Sequence, residues 1–238
     1  MNIGTWDGAD IVLDVVIRIR GCGYASARLP EHLLDTAVAR QLARADGTVA
    51  EVHFSHSRID AVSDEWTENA ETACVALSPN GGITHVLVVH SFCVVARSAF
   101  RPTCVDAENP QCLIRGVGAR LMSQLLRLVP SAADRTLIML GADGHLVERS
   151  CAHETTAELE RVIATRGIAI ADDQHFDGEL YRAKLEHVVN HIRENEDLVD
   201  YYVRKFDFVE IARVDWREVL LATTLARAIA RSQNTTRV

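Results

Sequence analysis

Three polar residues that could take part in nucleophilic catalysis each follow an apolar run that predicts a β-strand. Ser91 stands between the run 83–90 and a helical pattern, so its hydroxyl is expected at a sharp strand-to-helix turn beside a helix N-terminus. Asp143 and His175 come later in the chain, each after its own predicted strand. A carboxylate that accepts a hydrogen bond from a histidine fixes its tautomer, and the histidine can then remove a serine proton. Such a set predicts acyl-transfer chemistry.

The segment Val89–Arg97 resembles the nucleophile elbow and following helix of the α/β-hydrolase family, where a strand, His-Ser-Phe and a Val-Ala-Arg helix are common. Val89 and Cys93 stand where that elbow has glycines. The resemblance covers roughly residues 11–195. It implies a three-layer α/β fold with a mostly parallel sheet, helices on both faces and little or no lid.

The same resemblance implies a serine-dependent acyl hydrolase that acts on a carboxylic ester or thioester through an acyl-enzyme. Ser91 would attack the carbonyl carbon, His175 would act as the general base and Asp143 would orient the histidine. The backbone N–H groups of Cys22 and Phe92 would form the oxyanion hole. No metal and no organic cofactor would be needed, and the expected partner is a small-molecule acyl substrate.

Two alternatives stay open. Val89 at a glycine position, and Arg20 where the family's loop after the first strand often has histidine, are consistent with a hydrolase-like protein that binds a ligand or partner without catalysing a reaction. Residues 115–121 resemble the pyrophosphate loop of the GNAT family of acyl-CoA-dependent N-acetyltransferases, in which a helix N-terminus would hold the phosphates. Residues 202–208 resemble that family's late Phe-Tyr-x-x-x-Gly-Phe segment, with Val203 and Asp207 in place of its tyrosine and glycine.

Hydrophobic periodicity predicts strands that alternate with helices, which is typical of βαβ units and a parallel sheet. The expected strands are 11–19, 48–54, 83–90, 136–140 and 168–171. The expected helices are 30–45, 92–100, 117–129, 157–167, 179–195 and 216–231. We expect one domain over 1–195, with 196–238 as a C-terminal extension packed on it.

Composition argues against several classes of function. The 238 residues carry a formal net charge of −8 with scattered arginines, which does not suit broad binding to nucleic acid. No run reaches the roughly 18 apolar residues of a membrane span, and the acidic N-terminus differs from a signal peptide. His187 and His191 have a helical metal-ligand spacing but no evident third ligand. We expect a cytoplasmic protein with reduced cysteines and a possible homodimer.

Overall fold

A computed structural model describes residues 2–6, 9–19, 22–35, 43–94, 117–130, 132–143, 151, 153–168, 178–214 and 216–235. The strands are β1 (Asn2–Trp6), β2 (Ala9–Val12), β3 (Asp14–Arg18), β4 (Cys22–Arg28), β5 (Thr48–Arg58), β6 (His85–Val94), β7 (Thr136–Ala142), β8 (Val209–Val214) and β9 (Glu218–Thr224). The α-helices are α1 (Asp64–Leu77), α2 (Val117–Leu128), α3 (Thr156–Ala164), α4 (Gly178–Phe206) and α5 (Leu225–Thr235). Short 3-10 helices lie at Glu31–Leu33, Ile59–Ala61 and Ala133–Arg135.

Over the described residues, the main sheet has seven strands in the order β3-β4-β5-β6-β7-β9-β8, and β1 and β2 form a separate hairpin. Only β6 and β7 are parallel neighbours, and the other five neighbouring pairs in this sheet are antiparallel. The α/β class is confirmed, but the expectation of a mostly parallel sheet is wrong. Short connections join β3 to β4 and β8 to β9, and such connections allow only antiparallel pairing.

The first half of β6 is buried on both faces, as is β7 beside it. Val86 and Val88 point to one face and pack with α1, whereas Leu87 and Val89 point to the other and pack with α2. Strands covered on both sides become near-continuous apolar runs, which is why both were predicted correctly. We call the two sides of the sheet the α1 face and the α2 face.

Helices cover both faces of the sheet. On the α1 face, helix α1 buries Trp66, Ala70 and Ala73. On the α2 face lie α2, α5 and the end of α4, and the amphipathic stripe predicted for α2 is buried there. Among the described residues, no helix is long and apolar enough to cross a membrane.

Helix α4 is longer than the predicted 179–195 because no proline or glycine interrupts the chain before Phe206. Its first half packs with α3 in a small separate core around Leu159 and Leu185, and its second half packs on the sheet. Asp207 ends the helix with φ 58, in the left-handed region that favours glycine.

The predictions for residues 92–100 and 216–231 are among the others that differ from the structure. Residues 92–94, expected to begin a helix, belong to β6, and the rest of that helix lies outside the described residues. The helix expected over 216–231 is instead strand β9 followed by α5. The residues of β9 are buried between neighbouring strands, and this burial overrides their helical spacing.

Candidate functional site

The parallel strands β6 and β7 separate at their carboxyl ends. Their pairing runs from His85 opposite Thr136 to Val89 opposite Leu140. Beyond that point β6 continues to Val94 with β5 as its described partner, while β7 continues beside β9. Among the described residues, the second half of β6 therefore has no partner strand on the side of β7. We call the gap between residues 90–94 of β6 and Gly141–Ala142 of β7 the wedge. Carboxyl ends of parallel strands are where ligands commonly bind in α/β proteins.

A β-bulge lies where this wedge begins. His53 of β5 is opposite Ser91, but Phe54 is opposite Val89, so His90 is an extra residue in β6. A bulge bends its strand and releases backbone groups from the ladder, and bulges are frequent next to active sites. The bulge explains why β6 leaves β7 at this position.

The N-terminus of helix α2 packs against the separated half of β6. A Cβ on Gly118 would lie 2.8 Å from the Phe92 ring and 2.8 Å from a Val94 methyl group, so the helix approaches closely because this residue has no side chain. Phe92 also contacts the ring of Tyr202 on α4, at 6.5 Å between ring centroids. The first N–H groups of a helix have no partner within it and carry partial positive charge, which suits an anion.

A polar surface surrounds the bulge on the α1 face. The imidazole Nε2 of His90 lies 2.9 Å from the hydroxyl of Ser55, which pairs with Val88 and so shares its face. His53 lies on the same face, with its Nε2 3.7 Å from a carboxylate oxygen of Glu51. The His90 side chain is exposed, so a ligand in the wedge could reach it.

The guanidinium of Arg44 extends over this polar surface. It donates a hydrogen bond to Glu51, and its Nη2 lies 3.4 Å from the sulfur of Cys93. The bond to Glu51 raises the pKa of Arg44 above its ordinary value. This ion pair joins Glu51 of β5 to Arg44, which precedes that strand.

A second group of side chains lies at the end of β7. Asp143 is exposed, and its Oδ1 lies 3.0 Å from Nε2 of the buried His191. The same nitrogen lies 2.9 Å from the carbonyl oxygen of Arg217, so Nε2 carries the proton and donates to both. Asn195 also donates to this carbonyl, at 2.6 Å. These bonds join α4 to the turn between β8 and β9.

The carboxylate of Glu218 lies against the backbone of Gly141 on the α1 face. A Cβ at Gly141 would meet Oε1 of Glu218 at 1.8 Å, so only glycine leaves room for this carboxylate. Gly141 lies just beyond the last pair between β6 and β7. A carboxylate therefore borders the wedge on the β7 side.

The nucleophile elbow predicted at Ser91 is wrong. Ser91 lies within strand β6 and pairs with His53, because the strand continues to Val94 instead of turning into a helix. The predicted oxyanion hole is also wrong. Cys22 pairs with Ser55 on β4, and β5 separates it from Phe92 on β6.

The other two triad residues have different outcomes. Asp143 does follow a strand, as predicted, but its described partner is His191. His175 lies outside the described residues. Sequence reasoning assigned no role to His90, because a bulge leaves no signal in a continuous apolar run. His191 was considered only as a metal ligand, and its bond to a carbonyl depends on a turn 26 residues later.

No metal centre was found among the residues for which the structure gives positions. His191 is already engaged with Arg217 and Asp143, and the rings of His187 and His191 both meet the edge of Trp216. The comparisons with known proteins give no family: no protein-family model matches the chain, and no curated protein matches it.

Proposed function

We propose that the protein is an acyl-CoA-dependent N-acyltransferase, which moves an acyl group from a thioester to an amine. The observation that carries the proposal is the separation of β6 and β7 beyond Val89 and Leu140, next to the N-terminus of α2. This arrangement offers a place for three parts of an acyl-CoA molecule: a helix N-terminus for the pyrophosphate, an edge of β6 without a described partner for the pantetheine arm, and a bulge for the thioester.

The anion site would bind the pyrophosphate. The described helix begins at Val117, within the Arg115–Leu121 segment that resembles the GNAT pyrophosphate loop. Free N–H groups and the positive end of the helix favour phosphate oxygens. Gly118 supports this assignment, because its close approach to β6 brings the helix N-terminus beside the wedge.

The strand edge would bind the pantetheine arm, whose two amide groups can hydrogen-bond like a peptide backbone. Residues 90–94 of β6 have β5 on one side and the wedge on the other. An extended ligand that pairs with a free strand edge gains main-chain hydrogen bonds, as in β-strand addition. This edge would direct the thioester toward the bulge at His90.

The bulge would promote the chemical step. A backbone N–H released from the ladder at His90 can donate to the thioester oxygen as negative charge develops on it. The amine nitrogen then bonds to the carbonyl carbon and the carbon–sulfur bond breaks. The nitrogen gives up one proton, and the sulfur takes up one proton and leaves as the CoA thiol.

The end of helix α4 gives independent support. Asp207 stands at the glycine position of the late GNAT segment and has φ 58, the conformation for which glycine is favoured. Phe208, at the position of the family's last aromatic residue, is buried in the core of the α2 face. Val203 replaces the family's tyrosine, so that residue's role in the family is not carried over to this chain.

The first test is binding of acetyl-CoA, measured by thermal unfolding and calorimetric titration. Acetyl-CoA should raise the melting temperature by mass action. Arg115 lies outside the described residues, and Arg115→Glu should weaken binding by about tenfold or more because it reverses a charge within the segment that resembles the pyrophosphate loop. Arg135→Glu is the matched control, because this exposed arginine lies at the opposite, amino end of β7. No stabilisation of the wild type would contradict the proposal, and binding without transfer to any amine would favour a non-catalytic binding protein.

A further inference from the structure

We propose that His90 is the catalytic base that removes a proton from the acceptor amine and that Ser55 positions its ring. The inference rests on the proposed N-acyltransferase function and assigns the residue that accepts the proton. It starts from one nitrogen–oxygen contact, 2.9 Å between Nε2 of His90 and Oγ of Ser55, at the bulge where β6 leaves β7.

The two faces of the sheet define where each substrate can approach. Gly118 at the start of α2 touches Phe92 and Val94, which belong to the α2 face. The phosphate end of acyl-CoA would therefore lie on the α2 side of the wedge. The amine must then approach the thioester from the α1 face.

The bulge presents His90 to that approach. Because His90 and Ser91 together oppose the single residue His53, two successive side chains of β6 lie on the α1 face. The contact with Ser55, which lies on that face, confirms the direction of the His90 ring. The side chain is exposed and attached at the point where the strands begin to separate.

Other titratable groups near the wedge are less suited to accept the proton of the amine. Glu51 is held by Arg44 and lies beside His53, farther along β5. His191 donates its Nε2 proton to the carbonyl of Arg217 and to Asp143, in contacts that join α4 to the β8–β9 turn. Glu218 borders the wedge from the β7 side and is the main competitor.

The Ser55 contact can hold the imidazole in a reactive tautomer. When Nε2–H donates to Oγ of Ser55, the lone pair is on Nδ1 of His90, which is then the atom that accepts the proton. Nδ1 takes one proton from the ammonium group, and the resulting neutral amine attacks the thioester carbon. The carbon–sulfur bond then breaks, the second amine proton passes to the departing sulfur, and His90 releases its proton to water.

The experiment compares His90→Ala with His53→Ala, a matched exposed histidine on the same face. The acceptor probes are spermidine, tyramine and a lysine dipeptide, with CoA release and product mass as readouts. We expect His90→Ala to lower kcat by about 10²–10³-fold, in the range of general-base catalysis, while acetyl-CoA binding stays unchanged. Added imidazole should restore part of the rate, and His53→Ala should stay within about twofold of the wild type.

Ser55 is tested as a positioning residue. Ser55→Ala should lower kcat by about fivefold, as expected for one lost hydrogen bond, and Ser55→Thr should retain the wild-type rate because it keeps the hydroxyl. A purely structural role of Ser55 would change stability without this dependence on the hydroxyl.

Three results would overturn the inference while the proposed function stands: a His90→Ala rate within about threefold of the wild type, a loss confined to Glu218→Gln, or no rescue by imidazole. Acetyl-CoA that binds but is neither transferred to any probe nor hydrolysed would overturn the inference together with the proposed transfer activity, and would favour a non-catalytic binding protein. Failure of the wild type to bind acetyl-CoA would instead overturn the proposed function.

Discussion

The two halves of strand β6 differ in strand pairing and in the exposure of their side chains. His85–Val89 pairs with strands on both sides, and Val86, Leu87, Val88 and Val89 are buried. His90–Val94 is bulged, keeps β5 as its described partner and contains the exposed His90 and Ser91. The first half is part of the buried sheet, and the second half has one side that no described strand pairs with and two exposed side chains. The proposed site therefore begins where regular pairing ends.

The largest expected effect of a single substitution lies in the paired half. Leu87→Ala removes a fully buried side chain between two strands and α2, and should lower the free energy of unfolding by about 2–5 kcal/mol. Urea denaturation measures the loss. A cost below about 0.5 kcal/mol, the size typical of surface positions, would contradict the contrast between the halves.

A smaller, pH-dependent change in the free energy of unfolding is expected from His56 of β5, which pairs with the first half of β6. His56, opposite Leu87, has a buried Nε2 without a hydrogen-bond partner among the described residues, and its ring stacks on His85 at 5.5 Å. Burial, with the nearby His85 as a second cause, lowers the pKa of His56 below its ordinary value of 6.5. The unfolded chain then binds the proton more tightly, so this contribution to stability is complete above about pH 6.5 and is lost as the pH falls.

Urea denaturation at pH 7.5 and at lower pH values checks this second prediction. The wild type should lose stability on acidification, and His56→Gln should lose less because it cannot take up the proton. An equal loss in both proteins would show that the pH dependence comes from other groups.

The smallest expected effect is that of Ser91→Ala in the separated half. Ser91 is exposed within a strand, so its loss should change the free energy of unfolding by less than about 0.5 kcal/mol. Acetyl transfer should stay within about twofold of the wild type, and a fluorophosphonate should leave no adduct in intact-mass analysis. An adduct present in the wild type and absent from the variant would support the serine hydrolase predicted from the sequence.

The sequence allowed correct prediction of elements that are buried on both faces or strongly amphipathic. Strands β6 and β7 and helix α2 were found because their burial leaves a clear apolar pattern. The parallel pairing of neighbouring strands was predicted wrongly. Short connections join β3 to β4 and β8 to β9, and the apolar pattern does not reveal them.

The site was predictable only in part. Gly118 and Asp207 were visible as parts of a resemblance. The position of Gly118 leaves no room for a side chain, and that of Asp207 has the φ that favours glycine. The role proposed for His90 was not predictable, because it depends on the register of β5 against β6. Ser91 was expected at a turn but lies within a strand, because a serine that follows an apolar run looks the same in both places.

Hydrogen exchange with and without acetyl-CoA tests the central claim most directly. The account predicts slower amide exchange in residues 90–94 of β6 and in the first turn of α2, with little change in residues 85–89, which already pair on both sides. Unchanged exchange in residues 90–94 on saturation with acetyl-CoA, or protection confined to other parts of the chain, would contradict the claim that acyl-CoA occupies the wedge between β6 and β7.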